Sequence, residues 1–171
     1  GGFDDRAQKT YKSLPEAMTT EYYTQVTSLI EAIESSENSG AYGEILEDLR
    51  NKKTEIEAIQ QEIEEINALV LEKLYPLEQV SLKDKKVLNE IITRINKLSS
   101  YDREQVLRYE DITRASVRLQ GLERALIIAA VLVVISGVTV FVVILRIRKR
   151  RKEKLRQSML YDTEESSLEE D

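Results

Sequence analysis

The sequence predicts an all-α protein: an elongated antiparallel three-helix, coiled-coil-like bundle that continues into a single C-terminal transmembrane helix. Three observations predict it. The 171 residues include only two prolines and six glycines, and Glu, Lys, Ile, Leu and Arg abound, which suits long helices and argues against a sheet-rich domain. A seven-residue apolar repeat fills the stretch from Ala41 to Tyr75. The run Ala125 to Leu145 carries no charge; as a helix its roughly 21 residues span about 31 Å, the thickness of a bilayer's hydrocarbon core.

Residues 1–13 read as an N-terminal segment. The first helix is predicted after Ser13-Leu14-Pro15-Glu16, where Ser13 can cap and Pro15 suits an early helical position. Met18, Tyr22, Val26, Leu29, Ile30 and Ile33 then recur at helical spacing. Ser35 to Gly40 (SSENSG) is a loop by composition.

The second helix runs from about Ala41 to Tyr75. Tyr42, Leu49, Ile56, Ile63 and Val70 repeat every seven residues, and Ile45, Lys52, Ile59, Ile66 and Lys73 hold the complementary heptad position. Leu49, Ile56, Ile59, Ile63, Ile66 and Val70 are the candidate helix-packing or partner seam. Leu46, Leu69 and Leu74 widen the stripe, which favours two neighbours over a strict two-stranded seam. Lys52 and Lys73 on that seam either set register or snorkel to solvent.

Pro76 should end this helix. Ser81-Leu82-Lys83-Asp84 resembles a capping start, with Asp84 in place of the usual Glu or Gln. The third helix carries Leu88, Ile91, Ile92, Ile95 and Leu98. Ser99-Ser100 is a possible break, and one continuous helix is then predicted from Tyr101 into the membrane, with Val106, Tyr109, Ile112, Leu119 and Leu122 along it. By length, helix two faces helix three plus the outer part of helix four in an antiparallel hairpin. This puts the Ser35–Gly40 loop near the bilayer and Pro76 at the distal tip. The domain limits that follow are a helical extramembrane bundle over 14–124, a transmembrane helix over 125–145 and a tail over 146–171.

Flanking charge sets the expected topology. Arg114, Arg118 and Arg124 precede the apolar run; Arg146, Arg148, Lys149, Arg150, Arg151, Lys152, Lys154 and Arg156 follow it. Eight against three predicts a cytoplasmic C-terminal tail and an outer N-terminal domain, a single-pass type I arrangement. A start at Gly1-Gly2-Phe3, without an initiator Met, reads as a chain that is processed, cut from something larger or carrying an added terminal sequence, and removal of a signal peptide would explain it. Arg146, Arg148, Lys149, Arg150, Arg151 and Lys152 are candidates for contact with anionic lipid. Asp162, Glu164, Glu165, Glu169, Glu170 and Asp171 then reverse the sign, and this end reads as a disordered acidic tail. Within the span, Ala129 and Ala130 stand seven residues before Ser136 and Gly137, a small-residue face that permits close transmembrane helix packing.

The chain has no cysteine, histidine or tryptophan. Disulfides, zinc sites of the cysteine/histidine type and the usual nucleophile–base arrangements are therefore excluded. The missing cysteines and the missing Asn-x-Ser/Thr acceptors favour a prokaryotic or organellar membrane. Glu62, Glu64 and Glu65 form the densest carboxylate cluster and read as a solvated helix face. The sequence thus points to a non-enzymatic protein without a cofactor, whose partners are the lipid bilayer and other membrane or envelope proteins or a second copy of itself, with no nucleic acid and no small-molecule substrate. Its expected role is that of an accessory subunit of a larger membrane or cell-envelope assembly; the alternative is a signalling adaptor with an outer sensing bundle and a docking tail.

Overall fold

The structure is a computed structural model; it describes residues 2–169, which hold no strand and fall into two units divided between Gln120 and Gly121. The all-α class is therefore observed.

In the first unit, helix α1 (Asp5–Lys12) lies where only an N-terminal segment is predicted. The Asp4 carboxylate caps it, accepting the Ala7 N–H at 2.9 Å. Ser13 closes this helix instead of opening the next: its N–H donates to the Lys9 and Thr10 carbonyls. Asp4 is the cap because its carboxylate reaches a free amide of the first turn, whereas the chain after Ser13 has no helical turn to receive one. A 3-10 turn at Thr20–Tyr22 then enters α2 (Tyr23–Glu34), which buries Val26, Leu29, Ile30 and Ile33 at the predicted spacing.

Helix α3 (Gly43–Leu69) continues as a π-helical turn at Val70–Leu74. Tyr75 is extended (ψ 136°), the conformation favoured before proline, so Pro76 does end the helix. Two core clusters share α3. The first joins Leu49 and Ile56 to Phe3, Met18, Val26, Leu29, Ile30 and Ile33. The second joins Ile63, Ile66, Val70 and Leu74 to residues of the following helices. Glu34 pairs with Arg50 at 2.8 Å, and the Met18 N–H donates to the Glu55 carboxylate at 3.2 Å, so α2 runs antiparallel to α3.

After the turn, the Ser81 N–H donates to the Asp84 carboxylate at 2.9 Å, and Asp84 fills the role expected of it ahead of α4 (Lys85–Lys97). Arg94 meets Glu62 and Glu65, while α4 also touches the π turn, which only an antiparallel course beside α3 allows. The chain then breaks twice. Leu98 leaves the helical conformation (ψ 153°), and Ser99 caps a single turn, α5 (Ser100–Arg103). Arg108 adopts a left-handed φ of 52° and starts α6 (Tyr109–Leu168).

This overturns the predicted continuous helix from Tyr101 and the two-armed hairpin. The Leu107 N–H donates to the Asn67 side chain at 2.7 Å, and Arg118 donates to the Val80 carbonyl at 3.0 Å. Residues 109–119 of α6 therefore run in the same sense as the end of α3. The physical cause lies in the 98–108 connection. Arg103 donates to the Leu98 and Asn96 carbonyls, both at 3.0 Å, and so closes the end of α4. A left-handed non-glycine residue costs about 1 kcal/mol or more; at Arg108 that cost is offset by bonds to Glu78 at 2.7 Å and Asp111 at 2.8 Å. The Pro76 turn is consequently packed on residues 108–119, just ahead of the apolar run in sequence, and is not remote from them. The Ser35–Gly40 loop joins α2 to α3, the helices of the first cluster.

The second unit is the rest of α6. It includes Ala125–Leu145 and continues through the tail to Leu168, where disorder was expected. Glu, Lys, Arg, Leu and Gln are good helix formers. The Ser166 and Ser167 hydroxyls donate back to the Thr163 and Glu164 carbonyls without breaking the helix. The acidic residues Glu170 and Asp171 lie outside the described residues.

Candidate membrane anchor and interaction surfaces

The apolar run is a helix in which backbone amides bond to carbonyls one turn back, so it needs no outside partner for its main chain. Its side chains have no cover: from Leu126 to Leu145 the large apolar residues range from 40% exposed at Val142 to 71% at Val133. The one interior hydroxyl of the Thr type is satisfied within the helix, Thr139 Oγ1 donating to the Ile135 carbonyl at 2.8 Å. Among the described residues, α6 is the one helix long and apolar enough to cross a membrane.

Ala129, Ala130, Ser136 and Gly137 lie on this helix, all exposed, and a Cβ added to Gly137 would meet nothing within 4 Å. Arg146, Arg148, Lys149, Arg150, Arg151 and Lys152 extend the same helix; they too are exposed and make no ion pair among the described residues.

The α3 seam has a different fate. Leu49 and Ile56 are closed into the first cluster, and Ile63, Ile66 and Val70 into the second, with Ile59 half-buried against it. Leu49, Ile56, Ile66 and Val70 have no exposed surface at all. The stripe is thus covered by the chain's own helices. Lys52 is folded against the protein and sits 3.9 Å from Asp48; Lys73 is exposed and pairs with Glu72 at 2.6 Å.

The carboxylate cluster on α3 splits. Arg94 takes Glu62 through two bonds at 2.7 Å and Glu65 through a third. These bonds, with the positive charge of Arg94 and Lys97 behind them, hold the Glu62 carboxyl below the usual range against a smaller opposing effect of burial, and they raise the Arg94 pKa. Glu64 stays on the solvent side. No group of acidic residues suited to a metal ion occurs among the described residues.

A buried polar knot was not predicted. Asp102, in the single turn α5, is 1% exposed. Its carboxylate accepts from the Thr20 N–H at 3.0 Å, the Thr20 hydroxyl at 2.6 Å and the Ser99 hydroxyl at 2.7 Å. Gln105 in turn donates to the Thr20 hydroxyl at 2.6 Å. The knot ties the entry to α2 to the α4–α6 connection, and Ser99-x-x-Asp102 is its only sequence signal, since Thr20 lies 82 residues away. A second clasp, Arg108 with Glu78 and Asp111, was likewise unseen; the Arg108 bond holds the Glu78 carboxyl below its usual range.

No protein-family model matches this chain, and neither a curated protein nor a solved structure is significantly similar to it.

Proposed function

We propose that this protein is a single-pass, membrane-anchored helical stalk that serves as a structural or interaction subunit of a larger membrane or cell-envelope assembly. One observation carries the reading: a fully exposed apolar helix follows a unit that has already closed its own apolar residues into a core. An apolar surface of that extent marks contact with lipid or with other membrane helices. The charge bias around it supports an outer N-terminal unit and a cytoplasmic tail. In this reading the outer unit is a bundle with three helices at each level: α1 and α2 beside the first half of α3, then α4 and the start of α6 beside the second. The small-residue face is the surface offered to other spans, and the basic stretch from Arg146 to Lys152 rests on anionic headgroups. No catalytic role is assigned.

The test is purification of the tagged chain from its native membrane in mild detergent, with mass spectrometry and light scattering. Stoichiometric recovery of other membrane proteins supports the accessory role; a bare monomer contradicts it. A second reading, a signalling adaptor, is favoured by one feature, the exposed helical tail whose charge changes sign between Arg156 and Asp162. Deleting residues 158–171 separates the two: lost function with intact assembly selects the adaptor.

A further inference from the structure

We infer that residues 71–86 of the first unit dock on an anionic lipid surface; the inference rests on the membrane anchor proposed above. The segment divides its apolar residues between the core and the surface. Val70, Leu74, Leu77 and Val80 turn into the second core cluster. Leu71 (53% exposed), Tyr75 (55%) and Leu82 (38%) are left out of it. Leu71 and Tyr75 stand one turn apart. Elsewhere in this unit, only Tyr101, Leu107 and Val117 are large apolar residues so exposed among the described residues.

Charge selects the partner. Residues 1–120 carry 16 Lys and Arg against 23 Asp and Glu, so an anionic surface repels most of the unit. Residues 81–86 reverse that balance: setting aside Lys85, which has an interaction of its own, Lys83 and Lys86 stand against Asp84. The nearby acids Glu72 and Glu78 are each paired, with Lys73 and Arg108. An exposed tyrosine, exposed leucines and long lysines together form the composition of a headgroup contact, apolar bodies inward and charged tips at the phosphates.

The chain supplies the proximity. Val80 accepts from Arg118, which precedes Ala125 by seven residues. Even fully extended, seven residues reach at most about 25 Å. Whatever angle the chain takes beyond Gln120, Val80 is held within that reach, plus the length of the Arg118 side chain, of the start of the apolar run. A tethered contact acts at high effective concentration, so a weak patch suffices.

The absence of cysteine gives a clean test in the full chain. Leu82→Cys, Gly40→Cys and Val134→Cys variants each receive one environment-sensitive fluorophore and are reconstituted into phosphatidylcholine vesicles with or without phosphatidylglycerol. The lipids carry a nitroxide quencher at the headgroup or at mid-chain. A Cβ at Gly40 meets nothing within 4 Å, so that site tolerates the label and serves as the distant control. The expected result is severalfold stronger headgroup quenching at residue 82 than at residue 40, only with phosphatidylglycerol, and lost on Lys83→Glu with Lys86→Glu. Quenching at 134 with none at 82 overturns the docking surface and leaves the anchor standing. Equal quenching at 82 in both lipids overturns the choice of an anionic partner, and no mid-chain quenching at 134 overturns the anchor itself.

Discussion

The two units treat the same kind of residue in opposite ways. In the first, Ile33, Leu49, Ile56, Ile66 and Ile112 have no exposed surface. In the second, Ile127, Ile128, Ile135 and Ile144 are all 42% exposed or more. Both units are helical and rich in isoleucine, so helix formation alone does not separate them. The difference is the polar partner face. α2, α3 and α4 each mix apolar and charged positions and can close on one another in water. Ala125–Leu145 has no charged position, so packing against the first kind of helix would leave most of its circumference bare. The contrast teaches that the two regions are built for different solvents.

The largest effect expected from breaking this contrast is in the first core. Ile66→Ala should cost about 2–5 kcal/mol of unfolding free energy, read by hydrogen exchange of residues 2–120 in the detergent-solubilised chain. Ile135→Ala, on the exposed helix, should leave that exchange unchanged. A charge in the span comes next. Val134→Lys should cost about 2.5–3.5 kcal/mol of membrane insertion, seen as a fall in the membrane-inserted fraction, while the first unit stays folded. Asp102→Ala should then cost roughly 1–3 kcal/mol, because it strands the Thr20 amide and two hydroxyls that the carboxylate now satisfies. Faster amide exchange at Thr20 and around 98–108 is the signature.

The smallest effect concerns Arg94 and is worth about 1 kcal/mol or less, as for other partly exposed ion pairs. Its pH dependence has a definite sign. The Glu62 carboxyl titrates lower folded than unfolded. Its contribution is complete above the unfolded value, about 4.3, and is lost as pH falls through the lower folded value. Thermal unfolding at pH 7 and at pH 3.5 should therefore show a smaller acid loss in Glu62→Gln than in the native chain.

Elements set by local pattern were legible in the sequence. The α2 and α3 stripes, the stop at Pro76, the Ser81–Asp84 cap and the apolar run need only spacing along one chain segment. Some local features were misread, since the Asp4 cap of α1 and the helical course of the tail need no distant partner; the other misses depend on pairs far apart. Asp102 looks like any first-turn acid until Thr20 is beside it. Arg108 gives no hint of a left-handed turn, because the bond to Glu78 that stabilises it spans 30 residues. The predicted hairpin failed for the same reason: Ser99-Ser100 marks a break but not whether the chain kinks or reverses. In the candidate site, the charge-free span and the basic run are composition and could be read directly, whereas whether the α3 seam was free or covered depended on which helices lie across it.

The most direct measurement is alkaline carbonate extraction of the full chain from membranes, followed by flotation with the lipid. The account predicts that the protein stays in the floated lipid fraction and is released only by detergent. Recovery in the alkaline supernatant would contradict it, and the exposed helix from Ala125 to Leu145 would then need a protein partner in place of a bilayer.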